Sequence, residues 1–193
     1  YIPRLNWTPD ANELLVMQLN RHQNKLDVLY VNPYTGDSRP LITEKNDRYI
    51  DESFLDNYIF LEDGNFVITS ERDGWSHLYL YDQQGFELAQ ITDGEFDVTD
   101  FYGYDPIQKV YYYQAAAESP LRREVYFISQ DKKKKGKVSK LEGTNRVVFS
   151  KNFKYYINYY SSSKTPNLIT LHENKKGTQI RVLQDNTILK NTL

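Results

Sequence analysis

The chain has 193 residues, and its 24 basic and 26 acidic side chains nearly cancel to a net charge of −2. No global electric field therefore draws it to nucleic acid or to a membrane surface, and we expect neither partner. The absence of cysteine excludes disulfides and thiolate chemistry, and no apolar stretch approaches the roughly 18 to 20 residues that span a bilayer. Aromatic residues make up 15% of the chain and include 17 tyrosines, a bias that favours the pleated surfaces of β-sheets.

One pattern repeats along the chain, at residues 1–47, 48–96, 97–144 and 145–193. Each repeat has a turn bearing Asp, Asn or Gly, then two strands of β-branched and aromatic residues, a hairpin turn and a last short strand. The expected inner strands, in chain order, are residues 13–19, 66–70, 110–113 and 155–160, and the strands after them are residues 27–31, 77–81, 124–128 and 167–171.

The last strand of each repeat carries a hydrophobic anchor beside Thr or another polar residue. The anchors lie 49, 50 and 42 residues apart, at Ile42, Ile91, Leu141 and Leu183. That spacing is the period of a propeller blade, and no segment keeps a helical period over three turns. The sequence therefore predicts an all-β fold, a single fragment of a β-propeller with about four consecutive four-stranded antiparallel blades.

A search for catalytic and metal-binding patterns finds none that is complete. There is no Gly-x-Ser-x-Gly elbow to expose a nucleophile, no Gly-rich phosphate loop and no calcium loop. His22, His77 and His172 stand singly, without a second ligand at metal-binding spacing. Lys132 to Lys135 fall on an expected hairpin tip without interleaved aromatic residues, where solvated charge is ordinary. We expect no catalytic residue, no metal and no cofactor in this chain.

Two segments are too particular to be generic blade sequence: Ser70-Glu71-Arg72-Asp73-Gly74-Trp75-Ser76-His77-Leu78-Tyr79-Leu80-Tyr81, and Arg181 to Asn186. With residues 19–27 and Tyr159-Tyr160-Ser161-Ser162, they resemble the propeller of the dipeptidyl peptidase IV family, in the prolyl oligopeptidase clan. The resemblance implies an eight-bladed propeller over an α/β-hydrolase domain, in a serine peptidase that releases X-Pro or X-Ala dipeptides from peptide N-termini.

The same resemblance implies which parts of that enzyme this chain holds. It corresponds to the C-terminal half of the propeller, and its start at Tyr1, without Met or a signal peptide, fits a piece of a longer protein. The catalytic triad belongs to the hydrolase domain, expected after Asn186 and absent here. The paired glutamates that hold the substrate amine belong before Tyr1, so Glu52 and Glu71 are not those residues.

Two positions are candidates for substrate contact. The segment Tyr49-Ile50-Asp51-Glu52-Ser53-Phe54 stands where related enzymes have a loop that reaches the far side of the substrate, so the resemblance implies that Asp51 and Phe54 face the chamber. The alternative is a strand connecting two blades, with Phe54 in the core.

The segment from Glu71 to His77 is expected to be structural before it is substrate-binding. Asp73-Gly74 suits a hairpin turn that needs a positive φ. Glu71 and Arg72 are expected to pair within or between blades, with Trp75 packed beside them and His77 in a structural role.

The favoured function is a propeller that gates and positions peptide substrates beside the parent's α/β-hydrolase domain. The alternative is a protein-interaction propeller of a catalytically inactive family member. A Gly-x-Ser-x-Gly elbow after Leu193, followed by Asp and His, would favour the enzyme. The resemblance also implies a periplasmic or cell-surface location. Because part of a ring leaves sheet faces uncovered, we expect the fragment to form a homodimer or otherwise self-associate.

Overall fold

Nearly all of the described chain consists of β-strands and the turns between them. The computed structural model describes residues 1–51, 58–190 and 192. The strands of the first half are β1 (Arg4–Trp7), β2 (Leu14–Leu19), β3 (Lys25–Val31), β4 (Ser38–Lys45), β5 (Ile59–Phe60), β6 (Phe66–Ser70), β7 (His77–Tyr81) and β8 (Glu87–Gln90). Those of the second half are β9 (Val98–Asp105), β10 (Val110–Ala115), β11 (Glu124–Ser129), β12 (Lys135–Lys137), β13 (Thr144–Phe149), β14 (Tyr155–Ser162), β15 (Thr165–Glu173) and β16 (Thr178–Gln184).

In the described ranges the strands form four sheets of four, each sheet following chain order: β1 to β4, β5 to β8, β9 to β12 and β13 to β16. All the pairings between neighbouring strands are antiparallel. This order follows from short turns, which join a strand only to an antiparallel neighbour. The predicted all-β fold of four-stranded antiparallel blades is confirmed.

One predicted strand is wrong. The anchor Leu141 was expected in the last strand of the third repeat, but that strand is β12, and Lys135 and Gly136 belong to it rather than to the hairpin tip. The ladder with β11 ends because the Val125 carbonyl accepts from both Val138 and Ser139 backbone N–H groups, at 2.7 and 3.3 Å. The next strand, β13, begins at Thr144.

The first two sheets share a core within the unit Tyr1–Thr92. In β3 the burial alternates along the strand, so one face packs inward, whereas every residue of β6 and β7 is buried. The ring of Phe66 stacks on that of Tyr81, with 5.5 Å between centroids. Burial of consecutive residues in β6 and β7 means that both faces of these strands are covered.

The unit Asp93–Leu193 contains the other two sheets and a core of aromatic rings. Phe149 lies 4.6 Å from Tyr112 and 5.6 Å from Tyr156, measured between ring centroids, so it links the third and fourth sheets. Offset and tilted ring pairs of this kind add to the stability gained by burying their area. The described helix α1 (Thr187–Lys190) has four residues, and no helix in the described ranges is long and apolar enough to cross a membrane.

Candidate functional site

A small cleft of about 10 Å³ lies in the first unit, where β4, the end of β6 and the segment after β4 meet. Its polar lining includes three carboxylates, Glu44, Asp51 and Glu71. The segment after β4 is held by its backbone, because Ile50 N–H donates to the Gln23 carbonyl at 2.6 Å. Ile50 is itself buried in the core, and the next residue, Asp51, lines the cleft.

The structure therefore brings two of the residues singled out from sequence into one place. Asp51 is half-buried and lines the cleft together with Glu71, from the segment that follows β6. Phe54 lies outside the described residues, as does Glu52. The substrate-facing role of Asp51 and Phe54 remains a prediction.

The turn between β6 and β7 has the geometry expected for Asp73-Gly74. Gly74 has a φ of 102°, in the region that favours glycine, and its N–H donates to the Glu71 carbonyl at 3.0 Å. Asp73 accepts from the Trp75 N–H at 3.2 Å and from the Gln90 side chain at 2.6 Å. Burial alone would raise the pKa of Asp73, but these hydrogen bonds outweigh it and the pKa is lowered.

Arg72 is the centre of a polar network that joins the first and second sheets. Its guanidinium lies over the ring of Tyr79, 4.2 Å from the centroid, and donates to the Tyr81 hydroxyl at 2.7 Å. It also pairs with Glu87 of its own sheet at 2.8 Å and with Glu44 of the preceding sheet at 3.8 Å. Arg72 therefore has an ion-pair partner in each of the two sheets.

Glu44 is a largely enclosed carboxylate of the cleft, with only 13% of its side chain exposed. Burial raises its pKa, although the hydrogen bond from the Ser70 hydroxyl and the charge of Arg72 oppose the shift. Sequence reasoning missed this residue. A signal was available, because Glu44 lies two residues after Ile42 and so shares the buried face of β4.

Trp75 and His77 do not line the cleft. Trp75 is 40% exposed, whereas His77 is fully buried, with its Nδ1 3.0 Å from the Thr92 hydroxyl. The same hydroxyl accepts from Leu78 N–H at 3.0 Å. Because these bonds fix β7 to the chain that follows β8, the position of His77 agrees with a structural role.

The described lining of the cleft offers hydrogen-bond acceptors. Ser70 donates its hydroxyl proton to the Glu44 carboxylate, and the described lining residues include no histidine. No group of three or more His, Cys, Asp or Glu side chains suited to a metal ion occurs among the described residues. Carboxylates on an open cleft can instead accept hydrogen bonds from peptide N–H groups or bind a cation.

Successive four-stranded antiparallel sheets, each built from one sequence repeat, define the β-propeller class of protein. The family model described as the dipeptidyl peptidase IV (DPP IV) N-terminal region matches residues 1–167. The chain belongs to this family.

Known relatives agree with the assignment. The crystal structure of Porphyromonas gingivalis dipeptidyl peptidase 4 matches all of this chain with a TM-score of 0.93 and 41% identity, over 27% of that chain. The protein named "Probable dipeptidyl peptidase 4" of Emericella nidulans is 26% identical over 95% of this chain and 25% of its own length. Human prolyl endopeptidase FAP is 25% identical over 100% of this chain and 27% of its own length. The chain thus spans about a quarter of each relative.

Proposed function

We propose that this chain is the part of the propeller that gates and positions peptide substrates in a serine peptidase that releases X-Pro or X-Ala dipeptides. The parent enzyme's α/β-hydrolase domain would supply the catalytic triad, while the blades restrict access and complete the binding surface. Membership of the DPP IV N-terminal family supports the proposal. We propose a periplasmic or cell-surface location on the same family basis.

The observation that carries a positioning role is the meeting of Asp51 and Glu71 at one cleft. Asp51 comes from the segment that joins two sheets, and Glu71 comes from the turn after β6. A side chain on a segment between rigid strands can be aimed at a ligand without disturbing the core. The Arg72 network fixes the walls of the cleft that Asp51 lines.

The test uses a full-length enzyme that contains this chain. Asp51→Asn and Phe54→Ala are each compared with the unchanged enzyme on a chromogenic X-Pro dipeptide reporter and on longer peptides with the same N-terminal dipeptide. We expect KM to rise for the longer peptides and to change little for the reporter, because only longer substrates extend to this segment.

Asp47→Asn is the matched control, since Asp47 is an exposed carboxylate on the same connecting segment and does not line the cleft. It should leave both substrates unaffected. Equal KM changes on reporter and long peptides, together with a lowered melting temperature, would show that Asp51 and Phe54 serve only the fold. A full-length protein without peptidase activity on either substrate would favour the interaction propeller instead.

A further inference from the structure

A second and larger cleft, of about 760 Å³, opens within the second unit. Its walls come from three turns of two neighbouring sheets: the turn from β9 to β10, the turn from β11 to β12, and the turn from β15 to β16. This volume is typical of ligand-binding clefts.

The rim of this cleft is strongly basic. Its lining has one acid, Asp131, and six lysines: Lys109, Lys134, Lys137, Lys140, Lys175 and Lys176. Lys137 already pairs with Glu118 and Glu124, at 3.0 and 3.3 Å. Lys134, Lys140, Lys175 and Lys176 are exposed and have no ion pair with any residue that the structure describes. Their charges are available to a ligand.

The single acid of the rim does not neutralise these lysines. Asp131 accepts hydrogen bonds from the Ser129 hydroxyl at 2.6 Å and from the Lys133 N–H at 3.1 Å. The Ser129 bond, followed by that of Lys133, lowers the pKa of Asp131. Its carboxylate is therefore committed to shaping the turn.

The walls are tied together before any ligand arrives. Asn174, in the turn after β15, donates to the Tyr112 hydroxyl of β10 at 2.9 Å and to the Phe153 carbonyl at 2.8 Å. The bond to Tyr112 holds the fourth sheet of the chain against the third, and the bond to Phe153 joins two turns of the fourth sheet. A preformed cleft spends less binding energy on ordering its own side chains.

The floor is apolar and is made by Val110, Phe127 and Val138. Gly136 allows the Phe127 ring to lie close over β12, since a Cβ at this glycine would stand 2.9 Å from the ring. The cleft thus combines apolar contacts at its base with positive charges around its rim.

Protection of an exposed sheet edge explains only part of this charge. Lysines on edge strands prevent unwanted strand pairing, and β12, at the edge of its sheet, carries Lys135 and Lys137. Lys140, Lys175 and Lys176 are not on that strand, and the last two belong to another sheet. Their convergence on one cleft requires a different explanation.

We propose that this cleft binds an acidic peptide segment of a partner protein, one in which carboxylates alternate with apolar side chains. The carboxylates would meet the lysine rim, the apolar side chains would pack on the floor, and the peptide backbone would run beside the free edge of β12. Single-stranded nucleic acid fits less well, because it binds on exposed aromatic platforms, and of the two aromatic rings in the lining Tyr112 is only 5% exposed and Phe127 is half-buried.

The test measures fluorescence anisotropy of a labelled octapeptide of alternating Glu and Val, titrated with the 193-residue chain. We expect saturable binding that weakens as salt is added. The triple variant Lys134→Gln, Lys140→Gln, Lys176→Gln should bind about tenfold more weakly, because it removes three exposed charge pairs.

The matched control variant is Lys151→Gln, Lys154→Gln, Lys164→Gln, which removes three exposed lysines of the same unit that do not line the cleft. It should bind as the unchanged chain does. Near-ultraviolet circular dichroism verifies that both variants are folded, and Lys176→Glu alone replaces the triple variant if that one unfolds.

Three results would overturn the proposal. One is equal weakening by the cleft and control variants, which would mean that binding follows net charge. Another is tighter binding of an oligothymidylate of equal charge, which would assign the cleft to nucleic acid. The third is equal binding of a Lys-Val octapeptide, which would exclude the lysine rim as the source of recognition.

Discussion

Arg72 should contribute more to stability than any ordinary surface arginine, because its removal leaves a buried carboxylate without its cation. Arg72→Ala removes the contact with the Tyr79 ring, worth about 0.5 to 1 kcal/mol, and the hydrogen bond to Tyr81, worth about 1 kcal/mol. Glu44, with 13% of its side chain exposed, then loses its partner at an added cost of about 1 to 2 kcal/mol. We expect a total loss of about 3 kcal/mol.

The chain offers a close control for this variant. Arg39 also lies over a tyrosine ring, 4.3 Å from the centroid of Tyr30, and pairs with Glu13 at 3.2 Å. Its side chain is 48% exposed, so Arg39→Ala should cost about 1 kcal/mol or less. Urea unfolding followed by tryptophan fluorescence measures both variants, because both tryptophans, Trp7 and Trp75, belong to the first unit.

The two variants should also differ in their response to acid. Burial raises the pKa of Glu44, so the folded chain binds a proton more readily than the unfolded chain does, and this group favours folding as the pH falls. Without Arg72 the pKa of Glu44 should be raised further, so stability should increase more as the pH falls. Glu44→Gln in the Arg72→Ala background should recover part of the stability that Arg72→Ala removes. Equal costs for Arg72→Ala and Arg39→Ala would refute the reasoning.

Two further changes have defined outcomes. In urea unfolding, Gly85→Ala should destabilise the first unit by at least about 2 kcal/mol more than Gly36→Ala does. Both glycines have positive φ, but only at Gly85 would a Cβ meet a backbone atom, the Leu41 oxygen at 2.0 Å. Equal losses of stability in the two variants would contradict this reasoning. Burial lowers the pKa of His172, so stability should fall as the pH drops below about 6.5, where the unfolded chain gains a proton that the folded chain resists. His172→Phe, which can retain the stack on Tyr156, should flatten this pH dependence in thermal melts, and an unchanged slope would exclude His172 as its source.

The strands were predictable because the sequence signal for a strand lies within a few consecutive residues. Phe66–Ser70 and His77–Tyr81 match the expected bounds, since each is a run of residues with high β-propensity between turn residues. The prediction for the third repeat was wrong because its last strand, Lys-Gly-Lys, has no hydrophobic residue. The nearby Leu141 is hydrophobic, so the pattern predicted it as the anchor of that strand instead. An edge strand buries little of its surface, so its sequence is weakly constrained.

The two clefts could not be predicted in the same way, because each depends on sheets that are distant in sequence. Glu44 and Ser70 are 26 residues apart, and Asn174 and Tyr112 are 62 apart. The lysine run was interpreted as a solvated hairpin tip, which is correct for Lys132 and Lys133 considered locally. Only the fold shows that Lys140 and Lys176 converge on the same cleft.

The Arg72 network also explains why a blade contact is built from charges where apolar side chains would serve for stability. Buried charges cost desolvation energy, and a network of them favours one arrangement only when every partner is in place. Glu44 from the first sheet and Ser70 from the second satisfy each other only in one alignment of the two sheets. Both residues line the cleft that Asp51 enters. The interactions that align the sheets therefore also shape the cleft, so a change at Glu44 should alter stability and binding together.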